Sequence, residues 1–515
     1  MGNVIIKEYA GLIRNYRQLA NELSVNIDGL SRRDREEKIL LSAYDKWGYD
    51  IGNHLNGQFA LVLFDESKNE TFAVRDQFGL QQLFYYLTDD GILCTLSIKD
   101  MLKKDGFKKE FNEKVLQLYL GFTYIAGEET FFKGLYKLMP CKYLVFNEKG
   151  LKIERYFEAI FTVDESKTED DFASEIESGL ISALKEVKDE SEVADSFLSG
   201  GVDSSYLLAI SDAKIAYSAS YEHKGADESE LAKQTAEKLN RKFVKYTVTP
   251  EEYFASVKQF MYDMESPTGD ASSLVFAICC KEVVKHSKIC YSGEGSDEWF
   301  GGYNIYRKAE EYMNVPSPLF CGNTYIMHTP EQKRLLKRYH EEYSMANFRK
   351  NLYADLKMYE PLTRMLDIDQ RIFLEGSIFH NVRRISDSSG LDIRTPYVDM
   401  RIYDVALHAP AKFKINGENN KIVLRKAAER VLPKEVAWRT KKGFPVPIRD
   451  WLLDKKYNEK IFAKLHGEVA EKFFNIDELD NLILQFTTDH PEFWRKIWTI
   501  YTFILWYEVF FINKD

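Results

Sequence analysis

Two short glycine-rich segments carry the residues best suited to chemistry. The first, Ser199-Gly200-Gly201-Val202-Asp203-Ser204-Ser205, follows an apolar stretch and precedes a helical one. Its glycines permit a tight turn and close backbone approach. Its hydroxyls and a helix N-terminus supply donors, which is what holding a phosphate group requires. It lacks the Gly-Lys-Ser/Thr ending of a Walker loop, so no lysine within it neutralises phosphate. A plain strand-turn-helix connection uses the same residue types, and the second segment decides between the two. Tyr291-Ser292-Gly293-Glu294-Gly295-Ser296-Asp297-Glu298 also follows an apolar stretch and leads into Trp299-Phe300-Gly301-Gly302-Tyr303. Its three carboxylates in five residues, Glu294, Asp297 and Glu298, repel one another unless a cation sits among them. Asp203 and Asp297 are the pair expected to hold Mg2+ against a polyphosphate.

The elements that must position these loops follow from the apolar pattern. Around the first loop, helix 172–187, strand 193–198, helix 204–211 and strand 215–221 alternate, the rhythm of a parallel α/β sheet. From about Glu331 onward nearly everything reads as helix. The first 160 residues differ: helix 32–47, then short strands at 58–64, 71–74, 82–86 and 93–97. A polar, acidic stretch at 162–171 is the expected linker, giving domains 1–160 and 161–515. Two domains also suit 515 residues, since single cores stop growing near about 250 to 300.

Composition narrows the function classes. Hydrophobic residues make up 45% and charged residues 29%, which excludes collagen-like and disordered chains. A net charge of −10 argues against a nucleic-acid partner. The six cysteines form no paired CxxC units, and Cys279 and Cys280 fall in an apolar helical stretch, so buried free thiols and a cytoplasmic location are expected. No signal peptide is expected. The apolar run 497–512 is shorter than the roughly 20 residues needed to cross a bilayer, so a buried terminal helix and no membrane partner are expected.

With these motifs in place the chain resembles the asparagine synthetase family, which carries a Ser-Gly-Gly-x-Asp-Ser pyrophosphate loop and a Ser-Gly-Glu-Gly-x-Asp-Glu segment. Glu265-Ser266-Pro267-Thr268-Gly269-Asp270, Arg394-Thr395-Pro396-Tyr397-Val398-Asp399 and Arg439-Thr440-Lys441-Lys442-Gly443-Phe444 match further family stretches in the same order, with Lys421 to Arg425 upstream of the last. The resemblance implies a degenerate Ntn-hydrolase-like αββα sandwich followed by a parallel-sheet ATP-pyrophosphatase domain with a helical C-terminal part. It implies that ATP is cleaved to AMP and pyrophosphate while a carboxylate is adenylated. On that basis Ser199, Gly200, Gly201, Ser204 and Ser205 cradle pyrophosphate, and Asp203 with Asp297 bind Mg2+. Leu198, Tyr221, Ser292 and Gly293 line adenosine. Lys441 stabilises charge during adenylation, and Glu294 orients or deprotonates the attacking amine.

Two departures from the family pattern set the expected substrates. In the first domain, Tyr9-Ala10-Gly11-Leu12-Ile13-Arg14 resembles a drifted Asn-Gly-Glu block, with Ala10 and Leu12 replacing Asn and Glu. Residue 2 is glycine and the first cysteine is Cys94, so the family's N-terminal thiolate is expected to be missing and this domain structural. In the second domain, Arg383 stands where the family usually has Asp, which places Arg383, His380 and Asp387 in the expected substrate pocket and disfavours free aspartate. The expected activity is an ATP-dependent, AMP-forming ligase joining a small-molecule or peptide carboxylate to an amine not drawn from glutamine. Ammonia-dependent asparagine synthesis and an inactive binding homologue remain alternatives, and a homodimer is left open.

Overall fold

The fold, a computed structural model, describes residues 4–188, 193–221, 229–316, 318–354, 356, 358–440 and 446–512. In the first domain, strands Val4–Ile13, Gly57–Asp65, Glu70–Arg75, Lys142–Asn147 and Gly150–Arg155 form an antiparallel sheet in that spatial order. A second antiparallel sheet sets Phe84–Leu87 between Ile92–Thr95 and Leu135–Lys137. Strand period two sorts the side chains into layers. Phe59, Leu61 and Leu63 pack with Ile39, Leu40 and Ala43 of helix Arg32–Trp47. Ala60 and Val62 point the other way, to Leu83, Tyr85 and Leu138 of the second sheet region. Phe84 in turn faces Ile98, Met101, Leu116 and Tyr119 from helices Ile98–Met101 and Leu116–Phe122. The layers are helix, sheet, sheet, helix, the expected sandwich.

The chain leaves this domain at strand Gly150–Arg155, and by Thr162 its backbone bonds to Leu407 of the second domain. Helix Glu169–Val187 opens the second domain, with a capping box from Thr168 and Asp171 that ends the linker earlier than the acidic composition indicates. Five parallel strands follow in the order Lys242–Val248, Ile215–Tyr221, Asp195–Phe197, Ile289–Tyr291, Asp392–Arg394. The last lies in the region expected to be almost entirely helical. At three residues it is too short to show a period. Helix Trp494–Tyr507 is buried against the first domain, with Trp506 and Phe131 ring centroids 4.8 Å apart and the Tyr119 hydroxyl 2.8 Å from Thr502 Oγ1. That packing explains the apolar C-terminal run; no described helix is long and apolar enough to cross a membrane.

Candidate active site

The parallel sheet reverses its build direction at strand Asp195–Phe197. The next two strands in sequence are added on one side, and Ile289–Tyr291 and Asp392–Arg394 on the other. Loops after the two strands flanking such a reversal diverge and leave a crevice at their carboxyl ends. Both glycine-rich segments emerge there. Gly200 adopts φ +82°, which few side chains tolerate, and turns the loop into helix Val202–Ile210. Ser199 N donates to Ser204 Oγ at 3.1 Å and Arg439 holds the Gly200 carbonyl at 2.7 Å. Gly201 at the N-cap offers no side chain, so the first-turn N–H groups are available to an anion. The second loop closes on the first because Gly293 lacks a Cβ, which would lie 3.1 Å from Asp203 Cβ.

Charge in the crevice centres on a residue the motif analysis gave no role. Lys421 Nζ lies 2.7 Å from Asp203 Oδ2 and 2.7 Å from Asp297 Oδ1, with Ser296 Oγ at 3.0 Å. Burial alone would lower the lysine pKa, but Asp203 and Asp297 outweigh it and hold it above its ordinary value. A Cβ on Gly302 would fall 1.7 Å from Asp297 Oδ1, so the backbone after the acidic segment is pressed against this trio. The donor set fits Mg2+. Asp203 Oδ1 is buried and makes no hydrogen bond among the described residues. Those residues contain no group of three or more His, Cys, Asp or Glu side chains that could cage a metal. Two carboxylates plus substrate phosphates and water is how Mg2+ is ordinarily held.

These loops open into a cavity of about 690 Å³ lined by Leu198 to Ser204, Ser292, Gly293, Glu294, Asp297, Lys421 and Arg439. The asparagine synthase family model matches residues 175–508, and a glutamine amidotransferase domain model matches residues 2–157. The chain belongs to the asparagine synthase family. It is similar to asparagine synthetase [glutamine-hydrolyzing] 1 of Bacillus subtilis (strain 168), at 26% identity over 97% of this chain and 85% of the relative. It is likewise 26% identical to a putative asparagine synthetase [glutamine-hydrolyzing] of Mycobacterium tuberculosis (strain ATCC 25618 / H37Rv), over 98% of this chain and 84% of that one.

Within this family frame, not every expected site residue reaches the cavity. Ser205 is fully buried behind the loop, and Tyr221 packs edge-on against Trp451 at 6.2 Å; neither lines the cavity. Lys441 lies outside the described residues, although Thr440 and Val446 on either side of its segment line the wall. Arg383, His380 and Asp387 do not line it either. Arg383 pairs with Asp387 in a separate cavity between the domains, beside Ala10, Gln82 and Arg384. His380 Nε2 bonds the Met264 carbonyl at 3.0 Å and lines a small third cavity.

The same helix, His380–Ser389, instead turns Asn381 to the cleft. A chain of donors fixes its amide. Ser273 Oγ donates to Asp270 Oδ2, so it must accept from Asn381 Nδ2, at 2.7 Å. Asn381 Oδ1 is left buried with no hydrogen-bond partner among the described residues. Arg495, at the start of helix Trp494–Tyr507, lines the same lobe, and enclosure by its walls lowers the guanidinium pKa despite the attraction of Asp270. Neither residue belongs to a recognisable motif. Helical spacing places Ser377 and Asn381 on one face and Arg383 with Asp387 on another, the only sequence signal for this division.

Proposed function

We propose that the protein adenylates a substrate carboxylate with ATP, releasing pyrophosphate, and passes the acyl group to an amine. The observation that carries this is the convergence of Asp203 and Asp297, from two loops at the sheet reversal, on one buried cationic point beside a helix N-terminus. The N–H groups of the first turn and the Ser199 and Ser204 hydroxyls bind phosphate oxygens. Mg2+, held by Asp203 and Asp297, supplies positive charge where negative charge gathers on the leaving pyrophosphate. Leu198 and its neighbours enclose the nucleoside, while the lobe with Asp270, Asn381 and Arg495 receives the carboxylate substrate. Asn381 Oδ1 accepts a hydrogen bond from it and Arg495 pairs with an anionic group. Glu294, which lines the same cavity, orients the attacking amine.

The amine in this proposal does not come from glutamine. All six cysteines are free, and burial pushes Cys94, Cys141, Cys279 and Cys321 up to about 12 and Cys280 and Cys290 well above the ordinary thiol. None is primed as a thiolate. A second reading, asparagine formation from aspartate and free ammonia, is favoured by the similarity to named asparagine synthetases along nearly the whole chain. Pyrophosphate exchange across a panel of carboxylates, followed by product analysis with amines or ammonium, tests both. Exchange with no carboxylate in the panel, aspartate included, marks the protein as a binding homologue.

A further inference from the structure

Lys421 is built into its position more firmly than a chance ion pair. It is 2% exposed at the side chain, and its backbone adopts φ +57°, a left-handed conformation costly for a residue with a Cβ. It forms the N-cap of helix Ile422–Ala428, and a Cβ on Gly302 would lie 2.2 Å from its Cε. The ammonium donates to Asp203 Oδ2 and Ser296 Oγ and forms an ion pair with Asp297 Oδ1.

The ammonium thus stands between the two carboxylates that the metal needs. Mg2+ would bind their oxygens at about 2.0 to 2.1 Å, which places a double positive charge against the ammonium. Asp203 Oδ1 is not taken by the lysine, but a metal on it would repel the ammonium on Oδ2 of the same carboxylate unless another anion draws Nζ away. The phosphate-holding loop Ser199–Ser204 lies on the same cavity wall, so an entering polyphosphate is the anion within reach.

We propose that Lys421 is a tethered counter-ion that holds Asp203 and Asp297 together until nucleotide arrives, then transfers to the phosphates. Binding of the divalent cation is thereby conditional on nucleotide. The proposal rests on the nucleotide–metal assignment made above and adds to it an order of binding. Lys421 acts as a positioning residue for the metal ligands.

The test uses Mn2+ as a paramagnetic substitute for Mg2+, with protein-bound metal counted after equilibrium dialysis. Without nucleotide, the wild-type protein should bind Mn2+ weakly. Lys421→Met should bind one equivalent at least tenfold more tightly, Lys421→Arg should stay at the wild-type level, and Asp203→Asn added to Lys421→Met should abolish the gain. Lys421→Met no tighter than wild type overturns the proposal. A second measurement does not depend on the variant folding. With a non-hydrolysable ATP analogue present, the wild-type protein should gain one protein-bound Mn2+ that it lacks without it. Wild type that binds the analogue but takes up Mn2+ equally well in its absence overturns the role of Lys421 and leaves the nucleotide site standing. Wild type that binds neither analogue nor Mn2+ overturns both.

Discussion

Acidification to pH 5 should expose two buried groups that oppose each other, and removing one should unmask the other. His380 is 9% exposed, and its pKa is lowered to about 3 by burial first and then by Arg384 and Lys137, with Glu375 acting in the opposite sense. Above pH 6.5 the imidazole is neutral folded or unfolded. Below it the unfolded chain takes a proton that the native state refuses until about pH 3, so stability falls by about 1.4 kcal/mol per pH unit. Between pH 7 and 5 the loss comes to about 2 kcal/mol. Asp369 does the reverse. Burial raises its pKa to about 8, and it accepts from the Tyr306 hydroxyl at 2.7 Å and Asn323 N at 3.1 Å. Its contribution is complete below the unfolded pKa of 3.8 and lost as pH rises through 8, so acidification from pH 7 to 5 returns about 2.5 kcal/mol. The two nearly cancel in the wild-type protein. Urea unfolding of wild type and His380→Gln, which keeps a donor for the Met264 carbonyl, should show the variant gaining about 2 kcal/mol relative to wild type between pH 7 and 5. A difference constant to within about 0.5 kcal/mol across that range would refute the neutral, proton-refusing His380.

Other perturbations address the site and its supports. Asp203→Ala and Asp297→Ala should each lower ATP–pyrophosphate exchange on the order of 10³-fold with unchanged circular dichroism, and near-wild-type exchange would sink the metal assignment. Glu375→Gln leaves buried Arg75, at 2.9 Å, and Lys137, at 2.6 Å, without their shared counter-charge, and should cost about 3 to 5 kcal/mol in denaturant unfolding. A cost under about 1 kcal/mol would show that the trio is compensated by other groups. Glutamine incubated with the protein, ATP and candidate acids should yield no glutamate above the no-enzyme level; release blocked by a thiol alkylator would show that one of the cysteines is reactive after all.

What the sequence disclosed and what it hid divide along physical lines. Helix Arg32–Trp47 is legible to the residue because Ser31 caps it and Gly48 ends it, and both signals are local. The two glycine-rich loops are legible because their glycines, hydroxyls and carboxylates are contiguous. Lys421 is not, because it reaches Asp203 across 218 residues and nothing in a helix start with a left-handed N-cap announces an ion bridge. The charge at Arg383 stands out in the motif comparison, but the residue lines the separate cavity beside Ala10 and Gln82. At i, i+4 spacing it satisfies Asp387 on its own helix, at 3.0 Å, and a residue whose partner lies one turn away has no need of a substrate. Asn381, two positions earlier, is uncharged and faces the cleft.

The first domain earns its place by holding both walls of that cleft. Two residues beyond the Ala10-Gly11-Leu12 block, buried Arg14 bonds Asp399 Oδ2 at 3.2 Å and the carbonyls of Val398 and Thr395, while Gln58 Nε2 donates to Thr395 Oγ1 at 2.7 Å. Tyr397 in that same segment donates to the Asp203 carbonyl at 3.2 Å and accepts from Trp299 Nε1 at 3.0 Å, joining both phosphate-side loops. On the opposite wall Arg75 and Lys137 clamp Glu375 in the π-helical turn Gln370–Phe379, which carries Phe373 and Ser377 into the cavity. Of these carboxylates, Asp399 is shared by Arg14 and Arg401, whereas Glu375 has only first-domain cations, Arg75 and Lys137, as its described salt-bridge partners. Substituting Arg14, Arg75 or Lys137 in the intact fold breaks a buried pair from one side, the costly case, because the remaining charge stays desolvated. The walls of the cleft therefore depend on Arg14, Gln58, Arg75 and Lys137, and Leu12 adds an apolar contact to Leu184, Val187 and Ile289 of the second domain.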